Sequence, residues 1–129
     1  MSHFLDVRVY YEDTDMAGIV YYANYLRYIE RARSDWVRSA GIDQSAMKSQ
    51  DGLVFAVRRV EADFMAPARF DDELIVETVT QKASGARLIL RQDVRRGSDL
   101  LFSALVTIVC IANDGQPVRL PANIRSMSQ

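Results

Sequence analysis

The chain has 129 residues, 49% of them hydrophobic and 26% charged, and its formal net charge is -1. This size and composition predict one globular domain spanning residues 1–129, and the small net charge gives no reason to expect nucleic acid or an anionic membrane as a partner. The sequence shows neither the leader of a secretory signal nor an apolar run near the ~20 residues of a membrane span, so we expect a cytoplasmic location without membrane insertion.

The first half of the chain predicts one strand and one long helix. Residues 7–11 are rich in β-branched and aromatic side chains, which indicates a strand, and a loop over residues 13–18 follows. Apolar residues then recur at helical spacing from about residue 22 to 40, and Gly41 stands where a helix C-terminus favours glycine. A shorter helix around residues 44–48 is only weakly indicated.

The second half of the chain predicts strands separated by short turns. The predicted strands cover residues 53–64, 73–80, 87–94 and 100–112. The last of them is apolar on both faces, which is typical of a central strand, and the short turns favour antiparallel hairpins. We therefore predict an α+β fold in which a curved five-stranded sheet wraps around the helix. One helix leaves a sheet edge and a sheet face uncovered, so we expect a dimer.

The scarcity of histidine and cysteine limits the chemistry that the chain can perform. The only histidine, His3, lies close to a terminus that we expect to be mobile, and the only cysteine, Cys110, lies in an apolar run typical of a packed strand. A Ser-His or Cys-His catalytic pair and a zinc site are therefore disfavoured. Acid–base chemistry should fall to carboxylates, tyrosines or lysines, and no metal or redox cofactor is implied.

The loop before the predicted helix concentrates acidic side chains. Glu12, Asp13 and Asp15 fall within four residues, directly before an apolar segment. A carboxylate in a partly apolar pocket can act as a general base or as a nucleophile. A solvated turn, or a carboxylate that stabilises a helix N-terminus, would explain the same spacing. Calcium is disfavoured, because the loop lacks both the acidic residue before Gly18 and the final glutamate of an EF-hand.

The start of the predicted helix lacks the usual capping residues. Residues 18–22 include no serine, threonine or aspartate, and uncapped amides at a helix N-terminus form a ready site for an oxyanion or a polarised carbonyl. Asn24 is a competing cap that would start the helix later. All six tyrosines lie between residues 10 and 28; packing explains most of them, and one or two could line a substrate pocket.

These residues carry a resemblance to a known family. Residues 7–15, 18–22 and 24–25 resemble the signature of the hotdog-fold acyl-CoA thioesterases, most closely the Tol-Pal-associated branch and more distantly the bacterial 4-hydroxybenzoyl-CoA thioesterase. Residues 28–34, 66–72 and 120–121 extend the resemblance over nearly the whole chain. It implies a hotdog fold, which is a five-stranded antiparallel sheet around one long helix. It also implies a homodimer or homotetramer whose active sites lie at the dimer interface.

The resemblance implies a reaction as well, the hydrolysis of an acyl-CoA substrate to a free acid and CoA. Asp15 falls on the family's catalytic aspartate. Tyr22 falls on the residue whose backbone amide polarises the thioester carbonyl. The predicted substrate contacts near the loop are Gly18, Val20, Tyr21 and Tyr25.

The sequence departs from the family pattern in two places. Many members of the Tol-Pal branch have histidine where Tyr22 stands here, so the backbone donor is retained without an imidazole. The 4-hydroxybenzoyl-CoA enzyme has a strongly basic loop after its third strand, whereas only Lys82 and Arg87 are basic in the corresponding segment. We predict that these two hold the CoA phosphates, although solvated hairpin positions would explain them equally well. Rival cations are Arg58, Arg59, Arg95 and Arg96.

Three other functions fit parts of the pattern. A non-catalytic acyl-thioester-binding module would use the same fold, but the presence of Asp15 argues against it. A cell-envelope interaction module would need an exposed docking patch that the sequence does not locate. A hotdog dehydratase is disfavoured, because such enzymes generally use a histidine. The acyl group itself, whether short aliphatic, long aliphatic or aromatic, stays open.

Overall fold

One long helix lies against one face of an antiparallel sheet in the computed structural model, which describes residues 2–126. The strands are β1 (Ser2–Arg8), β2 (Leu53–Phe64), β3 (Glu73–Ala83), β4 (Arg87–Arg96), β5 (Asp99–Ala112) and β6 (Pro117–Val118). The helices are α1 (Tyr22–Ser39), α2 (Gln44–Ala46) and α3 (Ala122–Ser126), with a 3-10 turn at Tyr11–Asp13 and a π-helical turn at Met47–Asp51. No helix in this range is long and apolar enough to cross a membrane.

The sheet order is β1-β3-β4-β5-β2, and every neighbouring pair is antiparallel. The two-residue β6 pairs with the end of β5. Five long strands and one long helix confirm the predicted α+β hotdog fold. The strand that is apolar on both faces, β5, lies between β4 and β2, as its composition predicts.

The core forms between α1 and the inner face of the sheet. Helix α1 buries Tyr25, Tyr28, Ile29 and Ala32, which recur every three or four residues and therefore share one face of the helix. They pack against alternate residues of the strands, among them Leu74, Val76, Leu88, Leu90 and Val94. Burial of each large apolar side chain contributes about 1.5–3 kcal/mol, so this face fixes where the helix lies on the sheet.

The first strand differs from the prediction. It begins at Ser2 rather than Val7, because β3 supplies backbone partners for all of residues 2–8. It also ends before Tyr10, because the amide of Val9 turns to the carbonyl of Asp72 at 2.9 Å. The expectation of a mobile terminus around His3 is wrong: the side chain of His3 is 15% exposed, and its Nε2 lies 2.8 Å from Oδ2 of Asp35 on α1.

Strand β2 forms one edge of the sheet. It is 12 residues long and pairs only with β5, so the backbone groups on its outer side have no partner among the described residues. Val57, Val60 and Phe64 on this strand are between 39% and 50% exposed. A long edge strand with exposed apolar side chains is a common site of association with a second chain.

Candidate active site

A tight hairpin presents Asp15 at the surface. The amide of Asp15 donates to the carbonyl of Ile19 at 2.9 Å, and the amide of Gly18 donates to the carbonyl of Asp15 at 3.0 Å. Gly18 has φ 78°, a conformation that glycine adopts without strain. Oδ1 of Asp15 accepts from the amide of Ala17 at 2.9 Å, whereas Oδ2 has no hydrogen bond within residues 2–126. The carboxylate is thus exposed, with one oxygen held and the other open.

Asp13 serves the structure of the loop. Its side chain is buried, and Oδ2 accepts a hydrogen bond from the amide of Tyr10 at 2.8 Å. Its carbonyl accepts from the amide of Tyr21 at 2.9 Å and from Nδ2 of Asn24 at 2.8 Å. Asp13 therefore joins the 3-10 turn to the first turn of α1, which places the Asp15 hairpin beside the helix N-terminus.

The N-terminus of α1 is open, as the absence of capping residues predicts. Tyr21 occupies the cap position and makes no side-chain capping bond. The amide of Asn24 donates to the carbonyl of Tyr21 at 2.8 Å, while the amides of Tyr22 and Ala23 find no acceptor in the described part of the chain. Asn24 is not the cap, because it lies inside the helix and is buried. The two free amides and the positive end of the helix dipole together favour the binding of a negatively charged or polarised oxygen at this end of α1.

Aromatic rings line the helix start on the side of β2. The rings of Tyr22 and Phe64 are 6.0 Å apart, and Tyr25 stacks on Phe102 at 5.0 Å. Phe64 is about half exposed, so it offers apolar surface beside the ring of Tyr22 at the helix start. Sequence reasoning did not identify Phe64 or Phe102 as part of this site, because the position of the end of β2 beside the helix depends on the strand order.

Two tyrosines beneath this surface are held in their neutral form. Burial raises the pKa of Tyr25, whose hydroxyl accepts a hydrogen bond from the amide of Ala68 at 3.0 Å. Burial, and after it the neighbouring carboxylate of Asp13, raises the pKa of Tyr28 well above its ordinary value. Neither hydroxyl is therefore suited to act as a base near neutral pH. Glu12 and Asp15 are the exposed carboxylates of this loop, and of the two only Asp15 lies on the hairpin.

The structure brings most of the predicted site residues together. Asp15, Gly18, Val20, Tyr21, Tyr22 and Tyr25 all belong to the hairpin or to the first turn of α1. Val20 and Tyr25 are buried within the chain, at 4% exposure each, and their contact with a substrate stays a prediction. Among the described residues, no group of three or more His, Cys, Asp or Glu could hold a metal ion.

Lys82 and Arg87 lie elsewhere in the chain. Both are exposed and flank the turn between β3 and β4. Strand β3 starts next to the Asp15 hairpin and ends at this turn, and its 11 residues span roughly 33 Å at the usual rise of a strand. These two cations are thus at the opposite end of the sheet from Asp15 of the same chain.

Comparisons with known proteins define the class. Residues 17–103 match the model of the thioesterase superfamily, and the chain belongs to this family. An acyl-CoA thioesterase from Haemophilus influenzae, YbgC, is 36% identical over 93% of this chain and 89% of its own length. A probable thioesterase from Bartonella henselae has a TM-score of 0.90 and 38% identity, over 94% of this chain and 100% of the other.

A third similar protein has been solved with a ligand. It is an aspartate-to-asparagine mutant of 4-hydroxybenzoyl-CoA thioesterase in complex with 4-hydroxybenzoyl-CoA. Its TM-score with this chain is 0.90 at 25% identity, and each chain is covered to 99%. The hotdog fold and the thioesterase family expected from the sequence are thereby confirmed.

Proposed function

We propose that this chain hydrolyses acyl-CoA thioesters to a free acid and CoA, with Asp15 as the catalytic carboxylate. Membership of the thioesterase superfamily and the acyl-CoA thioesterases among its relatives support the reaction. The assignment of Asp15 as the catalytic residue is supported by one observation. Its exposed carboxylate, with one oxygen free, lies on a hydrogen-bonded hairpin, and the neighbouring Asp13 connects this hairpin to the start of α1, where the free amides lie. A purely acyl-binding module would need no such carboxylate, so catalysis is favoured.

The free amides of Tyr22 and Ala23 are suited to polarise the thioester carbonyl. Attack on that carbon moves negative charge onto the carbonyl oxygen, and donors fixed in advance stabilise the charge more than water does. One such donor typically contributes about 3 kcal/mol to the transition state. The exposed rings of Tyr22 and Phe64 offer an apolar surface for the acyl group beside this oxygen.

Asp15 can activate the attack by either of two routes. As a general base, it takes a proton from water, the water oxygen bonds to the carbonyl carbon, and the C–S bond breaks to release CoA thiolate. As a nucleophile, its own oxygen forms the new bond, CoA leaves, and water then hydrolyses the mixed anhydride. A single turnover in oxygen-18 water, followed by mass analysis of the peptide that contains Asp15, separates the routes. Label in Asp15 is expected only from the nucleophilic one.

The edge strand β2 supports a homodimer as part of the proposal. Antiparallel pairing of two β2 copies would join their sheets and cover Val57, Val60 and Phe64. It would also bring the Leu53 end of one copy beside the Phe64 end of the other. The turn between β3 and β4 would then lie three to four strand spacings, roughly 14–19 Å, from the partner's β2, with Arg87 on β4 nearer than Lys82 on β3. Lys82 and Arg87 would thereby serve the CoA bound at the partner's site. A tetramer and the cytoplasmic location stay predictions.

Release of free CoA thiol from a panel of aliphatic and aromatic acyl-CoAs tests the proposal. We expect turnover by the wild type and a fall of about 100-fold or more in kcat/KM for Asp15→Asn. Asp6→Asn is the matched control, since Asp6 is exposed on β1 and no hydrogen bond within residues 2–126 joins its side chain to the Asp15 hairpin. Burial raises the pKa of Cys110, so a thiol reagent will report CoA and not the protein. Near-normal turnover by Asp15→Asn would sink the assignment.

A further inference from the structure

Three short backbone segments lie side by side at Asp15. Thr14 pairs with Val20 within the hairpin, and Ile19 pairs with Arg69 in the loop after β2, both in antiparallel fashion. The amide of Asp15 donates to the carbonyl of Ile19 at 2.9 Å, which places Asp15 opposite Ile19 in the same ladder. Asp15, Ile19 and Arg69 therefore form one row across the three segments.

The side chains of this row project from one face. Directly opposed residues of antiparallel segments place their side chains on the same side, and successive residues alternate between the two sides. Val20 and Ala68, each adjacent to a member of the row, are 4% and 0% exposed and face the core. Asp15 and Arg69 are both exposed, as the opposite face requires. The side chains of Asp15 and Arg69 thus leave the backbone on the same surface, on either side of Ile19.

No side chain among the described residues pairs with the charge of Arg69. Its backbone amide donates to Asp72, but its guanidinium takes part in no ion pair or hydrogen bond within residues 2–126. Two other arginines at this loop are occupied. Arg8 binds the carboxylate of Asp71 at 3.1 Å, and Arg96 binds that of Asp72 at 2.7 Å. The charge of Arg69 is therefore available to a group bound on the surface that it shares with the hairpin carboxylate.

The spacing decides which part of a CoA thioester this charge can reach. Arg69 lies two strand spacings, about 10 Å, from Asp15, and its side chain extends roughly 6 Å from its Cα. In CoA, about 13 bonds, roughly 15 Å when extended, separate the thioester sulfur from the first phosphate. With the thioester carbon beside Asp15, the guanidinium of Arg69 reaches the sulfur but falls short of the phosphates of an extended CoA arm.

We propose that Arg69 stabilises the negative charge that develops on the sulfur of CoA as the thioester C–S bond breaks. This inference rests on the proposed hydrolysis, in which Asp15 directs the attack and the free amides of Tyr22 and Ala23 hold the carbonyl oxygen. As the carbonyl re-forms, the electron pair of the C–S bond moves to sulfur, and CoA departs as a thiolate that solvent protonates. Arg69 lies on the side of Ile19 away from Asp15, where its charge faces the departing sulfur.

The acidity of the leaving thiol provides a measure of this role. A more acidic thiol leaves with less assistance, so an S-phenyl thioester needs less stabilisation at sulfur than a thioester of CoA or of N-acetylcysteamine. All three substrates should carry the acyl group that the wild type hydrolyses fastest. Arg69→Gln should lower kcat/KM about 10- to 100-fold for the CoA and N-acetylcysteamine thioesters, but less than about 3-fold for the S-phenyl thioester.

The N-acetylcysteamine thioester also separates this role from binding of the CoA nucleotide, because it has no phosphate. A loss confined to KM for the CoA substrate would therefore overturn the proposal. A loss in Arg69→Gln that is equal for all three leaving groups would overturn it as well, since a general disturbance of the site does not depend on the leaving thiol.

Matched variants complete the experiment. Arg69→Lys keeps the positive charge and should restore most of the activity that Arg69→Gln loses, whereas Arg38→Gln removes an exposed arginine on α1 and should change nothing. Urea denaturation of each variant checks that the fold is retained. Wild-type activity in Arg69→Gln, together with inactivity of Asp15→Asn, overturns the role of Arg69 and leaves the proposed hydrolysis standing. A wild type that hydrolyses no thioester overturns both.

Discussion

The backbone of Ala68 binds both Tyr25 and Val20. Its amide donates to the hydroxyl of Tyr25 at 3.0 Å, and its carbonyl accepts from the amide of Val20 at 2.8 Å. Ala68 is completely buried, so both bonds are shielded from water. Ala68, in the loop that follows β2, therefore fixes the first turn of α1 and the end of the Asp15 hairpin relative to each other.

Tyr25→Phe should destabilise the fold. Loss of the hydroxyl leaves the buried amide of Ala68 without an acceptor, which costs about 1–2 kcal/mol. Urea denaturation should show this loss as a lower midpoint with an unchanged slope. Tyr22→Phe is the matched control, because the side chain of Tyr22 is 60% exposed. Equal stability of Tyr25→Phe and the wild type would mean that water replaces the lost acceptor.

The Asp72–Arg96 pair should stabilise the fold in a pH-dependent manner. Burial tends to raise the pKa of Asp72, but the amide of Arg69 at 2.8 Å and the guanidinium of Arg96 at 2.7 Å outweigh it and lower the pKa. A carboxylate whose pKa is lower in the folded protein than in the unfolded chain stabilises the fold at pH values above its unfolded pKa, which is about 4 for aspartate. This stabilisation is lost as the pH falls through the pKa that the group has in the folded protein.

Asp72→Asn should accordingly lower the free energy of unfolding by roughly 1 kcal/mol at neutral pH, a value discounted for the partial exposure of the pair. The difference from the wild type should shrink below about pH 4. Urea denaturation at several pH values measures it, with Asp6→Asn as the control. A difference that is independent of pH would show that the charge of Asp72 contributes nothing.

The two aspartates of the loop should respond differently to substitution. Asp13→Asn keeps an oxygen for the amide of Tyr10, so kcat/KM should stay within about 10-fold of the wild type, far above the value for Asp15→Asn. Asp13→Ala removes that acceptor and should lower stability by about 1 kcal/mol. Steady-state kinetics together with urea denaturation separate the two effects. Equal loss of kcat/KM in Asp13→Asn and Asp15→Asn would contradict the assigned roles.

Removal of Lys82 and Arg87 should affect only substrates that carry the CoA nucleotide. The double change to alanine should raise KM for acyl-CoA several-fold, since two phosphate contacts are lost, and added salt should raise the wild-type KM. KM for a truncated acyl thioester without the nucleotide should barely move. Lys48→Ala with Arg38→Ala removes two other exposed cations and serves as the control. An unchanged KM for acyl-CoA would remove both residues from the site.

A charge on the edge strand should break the dimer. Val60 is 39% exposed in the single chain, so Val60→Asp is tolerated there, but the carboxylate would be buried by a paired β2. Light scattering should give a mass above 14.6 kDa for the wild type and a mass near that of one chain for the variant, with loss of turnover. A wild type that is both active and monomeric would refute the assembly and the shared site.

Local signals predicted some elements closely. Strand β2 has the predicted bounds, and α1 begins at Tyr22, because periodicity and the absence of caps are properties of neighbouring residues. The contacts that sequence reasoning missed join distant segments. The bond between His3 and Asp35 requires β1 to lie beside α1, and the contact of Phe64 with Tyr22 requires β2 to end at the helix start. Both follow from the strand order, which no short segment encodes.

The Asp15 hairpin is built almost wholly from main-chain amides and carbonyls, which nearly every residue type supplies. The side chains of Met16, Ala17 and Ile19 make none of the hydrogen bonds that hold it. Substitution of those side chains therefore removes none of the hydrogen bonds that hold the hairpin and present the Asp15 carboxylate. The sequence of the hairpin can vary over evolutionary time at these three positions while its main-chain framework stays the same.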